Sequence, residues 1–237
     1  GEWARDEADI VVGQRICQQK PGILWQEMAA ARRRGQRCPA LVYEVDDDLF
    51  NVGPDNPLGA MYRDPQVRRV MFACIRAADA VTASTEPLAA LLRHHNPNVF
   101  VVPNAIRSEV LDVAAPPRRG RPDGITRYGW QGSSTHAADW LEVRDVLAEV
   151  MRADPNTRMR FLGTAHPEGL PLDRGRVDFR PWTTDIDEHY RRIARFDVAL
   201  APLRDTVFNA SKSGLRVQES LALGVPVIAS DVPSYRG

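Results

Sequence analysis

The chain has 237 residues, 43% of them hydrophobic, and its 31 basic residues balance 31 acidic ones to a formal charge of zero. That length fits one large globular domain or two of roughly 110–120 residues. The neutral balance argues against a general nucleic-acid-binding surface, and no apolar run approaches the ~20 residues that a membrane-spanning helix needs.

No signal-peptide pattern opens the chain, which begins at Gly1 and closes on Tyr235-Arg-Gly237 just after a predicted strand. Both ends look cut, so a fragment of a longer protein is expected. Three cysteines, Cys17, Cys38 and Cys74, are far apart and form no Cys-x-x-Cys pair. They read as reduced, mostly buried thiols of a cytoplasmic protein. Peripheral membrane contact stays compatible with this reading.

Ala8 to Gly13 reads as a short buried strand, and Gly22 to Arg34 as a helix with Leu24, Met28 and Ala31 on one stripe. Arg32-Arg-Arg34 near its end suits the helix dipole. Pro39 to Val45 is the next strand and runs into Asp46-Asp-Asp48. Clustered carboxylates at a strand end, here Asp46 and Asp48, either hold a divalent cation or cap the segment that follows. Asn51 to Asp64 is a polar loop, Pro65 to Ala78 a helix, and Asp79 to Ser84 a strand. Thr85 to Leu92 is a helix with Thr85 or Ser84 as cap, followed by surface histidines His94 and His95 and a strand at 99–102.

Residues 114–124 are rich in Pro, Gly and Arg without periodicity and read as a linker. The expected organisation is an N-terminal Rossmann-like domain over 1–113 and a C-terminal one over 125–237. The second begins with a strand from Ile125 to Trp130, a loop from Gln131 to His136 and a helix from Ala137 to Ala153. Strands at 158–162 and 176–180 and a helix from Asp187 to Phe196 follow.

Asp197 to Ser230 is one βαβ unit, and such units build parallel sheets. Its loop, Asn209-Ala-Ser-Lys-Ser-Gly214, opens a helix with small polar residues, one cation and a glycine. Backbone N–H groups at a helix start favour an anion, Lys212 adds charge, and Gly214 lets a ligand approach the backbone. Glu219 is placed to accept hydrogen bonds from hydroxyls attached to that anion. The competing reading is a capped helix with Ser211 or Ser213 as N-cap and Gly224 as C-cap. Gly132-Ser-Ser-Thr-His136 repeats the logic after the first strand of this half. There Gly132, Ser133, Ser134 and His136 meet a phosphate, or Ser134 or Thr135 caps a helix. These loops and Pro181-Trp182 all follow strands, so they rim one end of a sheet, where parallel α/β proteins bind ligands. Trp182 either stacks on a nucleobase or anchors its loop.

The runs Asp79 to Leu88, Val101 to Asn104, Gly129 to His136 and above all Leu215-Arg-Val-Gln-Glu-Ser-Leu-Ala-Leu-Gly-Val-Pro-Val-Ile-Ala-Ser230 resemble the GT-B glycosyltransferases, specifically the family-4-like group-1 proteins. The resemblance implies two Rossmann-like α/β domains facing a cleft, both incomplete here. It implies a nucleotide-sugar donor on the C-terminal domain, an unidentified acceptor in the cleft, and transfer without a metal or other cofactor. Lys212, Ser213 and Gly214 match the diphosphate-contacting segment, Asn209 and Leu215 are further donor-binding candidates beside it, and Lys212 and Glu219 are the catalytic candidates. Gly132 to His136 matches the first phosphate loop. Glu219 matches the second of two glutamates that frame the donor. Ser211 stands where the first is expected, which leaves the stereochemical course open. A sugar-nucleotide epimerase of the same fold and a non-catalytic nucleotide-sugar-binding scaffold are the alternatives. A phosphorylase is disfavoured because Lys20 and Lys212 are the only lysines.

Overall fold

The computed structural model describes residues 8–113, 123–163 and 173–236. Most of the expected linker therefore lies outside the described residues. These residues form two α/β units, each built on a parallel sheet. The first takes the described residues up to Pro54, Leu58–Asn104 and Val207–Ser213; the second takes Asp55–Pro57, Ala105–Thr206 and the residues from Gly214 onward.

In the first unit, strands β1 (Ile10–Gln14), β2 (Ala40–Val45), β3 (Ala80–Ala83) and β4 (Val99–Val101) lie side by side in chain order, all parallel. Between them run α1 (Gln19–Arg33), the short α2 (Gly59–Arg63), α3 (Pro65–Ala77) and α4 (Glu86–Arg93). Strands that succeed one another in a single direction through right-handed crossovers put their helices on one face. The core follows: Leu41, Tyr43, Val45 and Val81 pack against Trp25, Met28, Met71, Ile75, Leu88 and Leu92. Asp64 and Thr85 cap α3 and α4, accepting from the backbone N–H of Gln66 and Leu88. Of the cysteines only Cys74 is buried, which pushes its thiol up to about 11; Cys17 and Cys38 are half-buried, and all three are free thiols. His95 is partly buried against Phe72 rather than at the surface, its ring centroid 4.4 Å away, and burial lowers its pKa.

In the second unit the strands are β5 (Thr126–Gly132), β6 (Thr157–Gly163), β7 (Val177–Pro181), β8 (Val198–Ala201) and β9 (Val227–Ala229), ordered β7-β6-β5-β8-β9 and all parallel. The helices are α5 (Arg144–Ala153), α6 (Ile186–Ile193), the four-residue α7 (Val207–Ala210), which packs with the first unit, and α8 (Leu215–Ala222). The order runs outward from β5 and then returns to β8, so helices cover both faces. Trp130, Trp140, Met151 and Phe161 form one core, and Tyr190, Ile193, Phe196, Ala199, Leu223 and Val225 the other. Ile106 and Val110 join this second core. The helix expected over 137–153 is two pieces, a 3-10 helix over Ser134–Glu142 and then α5. Gly224 ends α8 at φ +70°, a backbone state that glycine adopts without strain.

Candidate functional site

Reversal of strand order between β5 and β8 makes a topological switch point. In such sheets ligands bind outside the carboxyl ends of the two strands. β5 runs two residues further than the sequence indicated, carrying Gln131 and Gly132 within the strand. Gly132 is required there by its neighbour: a Cβ would stand 2.9 Å from Trp130 Cη2 and 3.2 Å from Cε2.

The loop after β5 is tied to the loop after β8. His136 Nδ1 lies 2.7 Å from Asp139 Oδ2, and Asp139 Oδ1 accepts from the Arg204 backbone N–H at 2.9 Å. Asp139 is 6% exposed, so both of its oxygens are committed inside the fold. Ser133 is the N-cap residue of the 3-10 helix, yet its hydroxyl lies 2.6 Å from that of Thr135 and no side chain caps the first turn.

Glu219, on α8, is held from two sides. Gln131 Nε2 donates to Oε2 at 2.9 Å and the Tyr190 hydroxyl donates to Oε1 at 3.4 Å. Burial raises the Glu219 pKa above the usual carboxylate range, against the opposing pull of Gln131, Arg216 and Tyr190. α8 itself starts from Gly214 as N-cap, with no side-chain hydrogen bond to its first turn, and neither Ser211 nor Ser213 fills that role. Leu215 is its first residue and Arg216 its second. The Arg216 guanidinium lies over Trp130, 5.8 Å from the ring centroid, and is hydrogen-bonded to the hydroxyl of the half-buried Tyr235. Gln131, Asp139, Tyr190, Arg216 and Tyr235 were not singled out from the sequence. A lone glutamine or an arginine inside a helical pattern gives no periodic signal, and only strand pairing brings them together.

Trp182 follows β7, the edge strand of the sheet, and is 53% exposed, its ring 5.4 Å from that of His189. His189 is buried, which lowers its pKa, and Arg192 adds to the effect.

The remaining expected site residues pack in the first unit. Asn209 and Ser211 are buried, and the Ser211 carbonyl accepts from the Thr85 hydroxyl at 2.7 Å. Ser213 Oγ accepts from Asn104 Nδ2 at 2.8 Å. Lys212 Nζ pairs with Asp47 Oδ1 at 2.9 Å and lies 4.4 Å from the centroid of the Phe208 ring. Asp46 pairs with Arg15, whose Nε donates to Oδ1 at 2.6 Å, while Asp48 is fully buried and accepts from Asn51 Nδ2 at 2.7 Å. Burial raises the Asp48 pKa, opposed by the Asn51 and Phe50 hydrogen bonds. Arg15 is a non-glycine residue at φ +46° directly after β1, and sequence reasoning missed it. Burial works against its charge, and the Asp46 and Asp47 carboxylates outweigh it. Among the described residues no group of three or more His, Cys, Asp or Glu side chains converges as a metal site.

Two parallel α/β units, of four and five strands, constitute the fold of the GT-B glycosyltransferases. No protein-family model matches the chain, and no curated protein matches its sequence. Solved structures do match. The pneumococcal O-GlcNAc transferase GtfA, in complex with UDP and GlcNAc, is similar with a TM-score of 0.57 and 16% identity, over 90% of this chain and 40% of that one. The lipopolysaccharide outer core galactosyltransferase WaaB matches with a TM-score of 0.53 and 17% identity, over 98% and 59%. TarM matches at 0.55 and 11%, over 86% and 40%. At these identities the likeness is one of fold, and the chain spans between 40% and 59% of the length of these three proteins. Among the described residues no helix is long and apolar enough to cross a membrane.

Proposed function

We propose that this chain carries the donor-binding unit of a glycosyltransferase that moves a sugar from a nucleoside diphosphate to an acceptor hydroxyl. One observation carries the reading: the switch point of the second unit gathers the Gly132–His136 loop, the uncapped start of α8 at Gly214 and Leu215, and a partly buried Glu219 oriented by Gln131 and Tyr190. The loop and the helix start offer N–H groups and a positive dipole end to a diphosphate. Glu219 accepts from ribose hydroxyls. As the glycosidic bond breaks, negative charge grows on the diphosphate, and donors already aimed at it stabilise the transition state without reorganising. The reading needs no divalent metal. GtfA, whose fold this chain shares, is recorded with UDP and GlcNAc bound, which fits a nucleotide-sugar donor. Free thiols suit a reducing, cytoplasmic setting.

Of the residues expected at the diphosphate, Asn209, Lys212 and Ser213 pack in the first unit, so the proposal rests on those of the second. A thermal-shift screen of nucleoside diphosphates and their sugars tests it. A ligand at 100 times its Kd stabilises the native state by about 2.7 kcal/mol. A shift for one nucleoside diphosphate, and release of that diphosphate only when acceptor is present, is the expected result. Absence of any nucleotide-dependent shift overturns it.

A second reading has its own observation. The position where the resemblance expects a carboxylate holds Ser211, 3% exposed and neutral. That favours a protein that binds nucleotide-sugars without transferring them. Nucleotide binding with no diphosphate release across sugar, lipid and peptide acceptors would select this reading.

A further inference from the structure

We propose that Arg216, together with the indole N–H of Trp130, forms a buried oxyanion subsite that takes the diphosphate of the nucleotide. The inference rests on the donor-site reading above and names the cation that reading lacks in the second unit.

Arg216 is an unfavourable residue where it stands. A cation in the first turn of a helix opposes the dipole. Its guanidinium is tucked over Trp130, and Nη1 is buried with no hydrogen-bond acceptor. The Trp130 indole N–H is likewise buried without an acceptor, as is that of Trp140, whose ring centroid is 5.5 Å from that of Trp130. A buried donor left unpaired costs about 1–3 kcal/mol, and native structures hold few of them. Here all three fall in one ring cluster, and two belong to residues in direct contact.

The neighbouring groups do not supply what these donors lack. Tyr235 offers its hydroxyl to the guanidinium, and that oxygen is neutral. Glu219 interacts with Arg216 through space, but its side-chain hydrogen bonds come from Gln131 and Tyr190 and none reaches Nη1. The Trp130 ring packs against the Gly132 backbone, so its indole sits beside the loop at the mouth of β5. An oxyanion there meets a guanidinium, an indole N–H and the first turn of α8 together. A nucleoside diphosphate carries such an oxyanion and, on its ribose, hydroxyls for Glu219.

The test is calorimetric titration of the 237-residue chain with the nucleoside diphosphate found by screening, the matching nucleoside and inorganic phosphate. Arg216→Gln is expected to weaken the diphosphate by about 10- to 100-fold and leave the nucleoside within about twofold. Trp130→Phe keeps the ring under the guanidinium and removes one donor; a several-fold loss for the diphosphate alone is expected, and this variant serves should Arg216→Gln fail to fold. Equal losses for nucleoside and diphosphate, or no change in either variant, overturn the subsite while leaving the donor-site reading intact. A wild-type chain that binds no nucleotide instead overturns that reading, and this inference with it. Inorganic phosphate that binds wild-type and Arg216→Gln alike also overturns the subsite.

Discussion

Gln131 Nε2 stands 2.9 Å from Glu219 Oε2, joining the penultimate residue of β5 to a helix 88 positions later in the chain. This bond, with the longer one from Tyr190, fixes the carboxylate that is proposed to receive the ribose. Gln131→Leu leaves the half-buried Glu219 with one donor fewer. It is expected to weaken nucleoside binding by roughly tenfold, corresponding to about 1.4 kcal/mol, while Tyr190→Phe has a smaller effect. Titration with nucleoside rather than diphosphate isolates this contact.

Glu219→Gln separates binding from stability. Burial raises the Glu219 pKa, so folding favours the protonated form. For a carboxylate raised in the folded state, that stability is fully present below the unfolded pKa and is lost as pH rises through the folded one. The variant carries no such loss. Its Tm relative to wild type should therefore climb as pH rises from the unfolded carboxylate value past the folded one, then level off. Nucleoside binding should fall at all pH values where wild-type Glu219 is ionised. A Tm difference that shrinks with rising pH would contradict the burial argument.

Lys212 and Asp47 are expected to couple in stability, because their 2.9 Å pair lies within one unit and is largely shielded, the side chains being 16% and 27% exposed. A double-mutant cycle with Lys212→Ala and Asp47→Ala should return about 0.5–1 kcal/mol of interaction energy. If Lys212 also serves the diphosphate, as the sequence pattern implies, Lys212→Ala lowers affinity for the diphosphate beyond its effect on Tm. Unchanged affinity with a measurable coupling would assign the lysine to the aspartate alone.

Gly129 is the least replaceable glycine of β5. A Cβ there would fall within the Phe196 ring, itself 1% exposed and packed in the core beside Ile193. Gly129→Ala is expected to cost about 3 kcal/mol through overpacking, read as a lower urea midpoint at unchanged slope.

The elements were legible in the sequence because burial imposes a period. Alternating Leu41, Tyr43 and Val45 marks β2, and the stripe through Met71, Cys74 and Ile75 marks α3. Loops at strand ends were legible for a related reason, since glycine and small polar residues interrupt those periods at Gly132 and Gly214. What stayed hidden depends on contacts distant in sequence. Val207–Ser213 runs straight into α8, yet Phe208 packs on the first unit's core. Nothing local marks that change of partner. Arg216 reads as a solvated helix charge until Trp130 is placed beneath it. The break at Val143 carries no Gly or Pro, and Arg15 adopts positive φ without the glycine that normally signals it.

Trp182 discriminates between a nucleobase platform and a loop anchor. Trp182 is 53% exposed after β7, and its ring centroid lies 5.4 Å from that of His189. An exposed indole contributes little to the core, so Trp182→Ala should leave Tm nearly unchanged. Stacking of a base on an aromatic ring is worth about 1–3 kcal/mol. As a platform, Trp182→Ala therefore lowers affinity for nucleoside and nucleoside diphosphate alike by roughly 5- to 150-fold. It leaves inorganic phosphate binding unaltered, the opposite pattern to Arg216→Gln. As an anchor of the β7 loop it instead lowers Tm and changes none of the three affinities. Since β7 is the edge strand and lies two positions from β5 in the sheet, the extent of the nucleoside loss also reports how far the bound base reaches from the switch point.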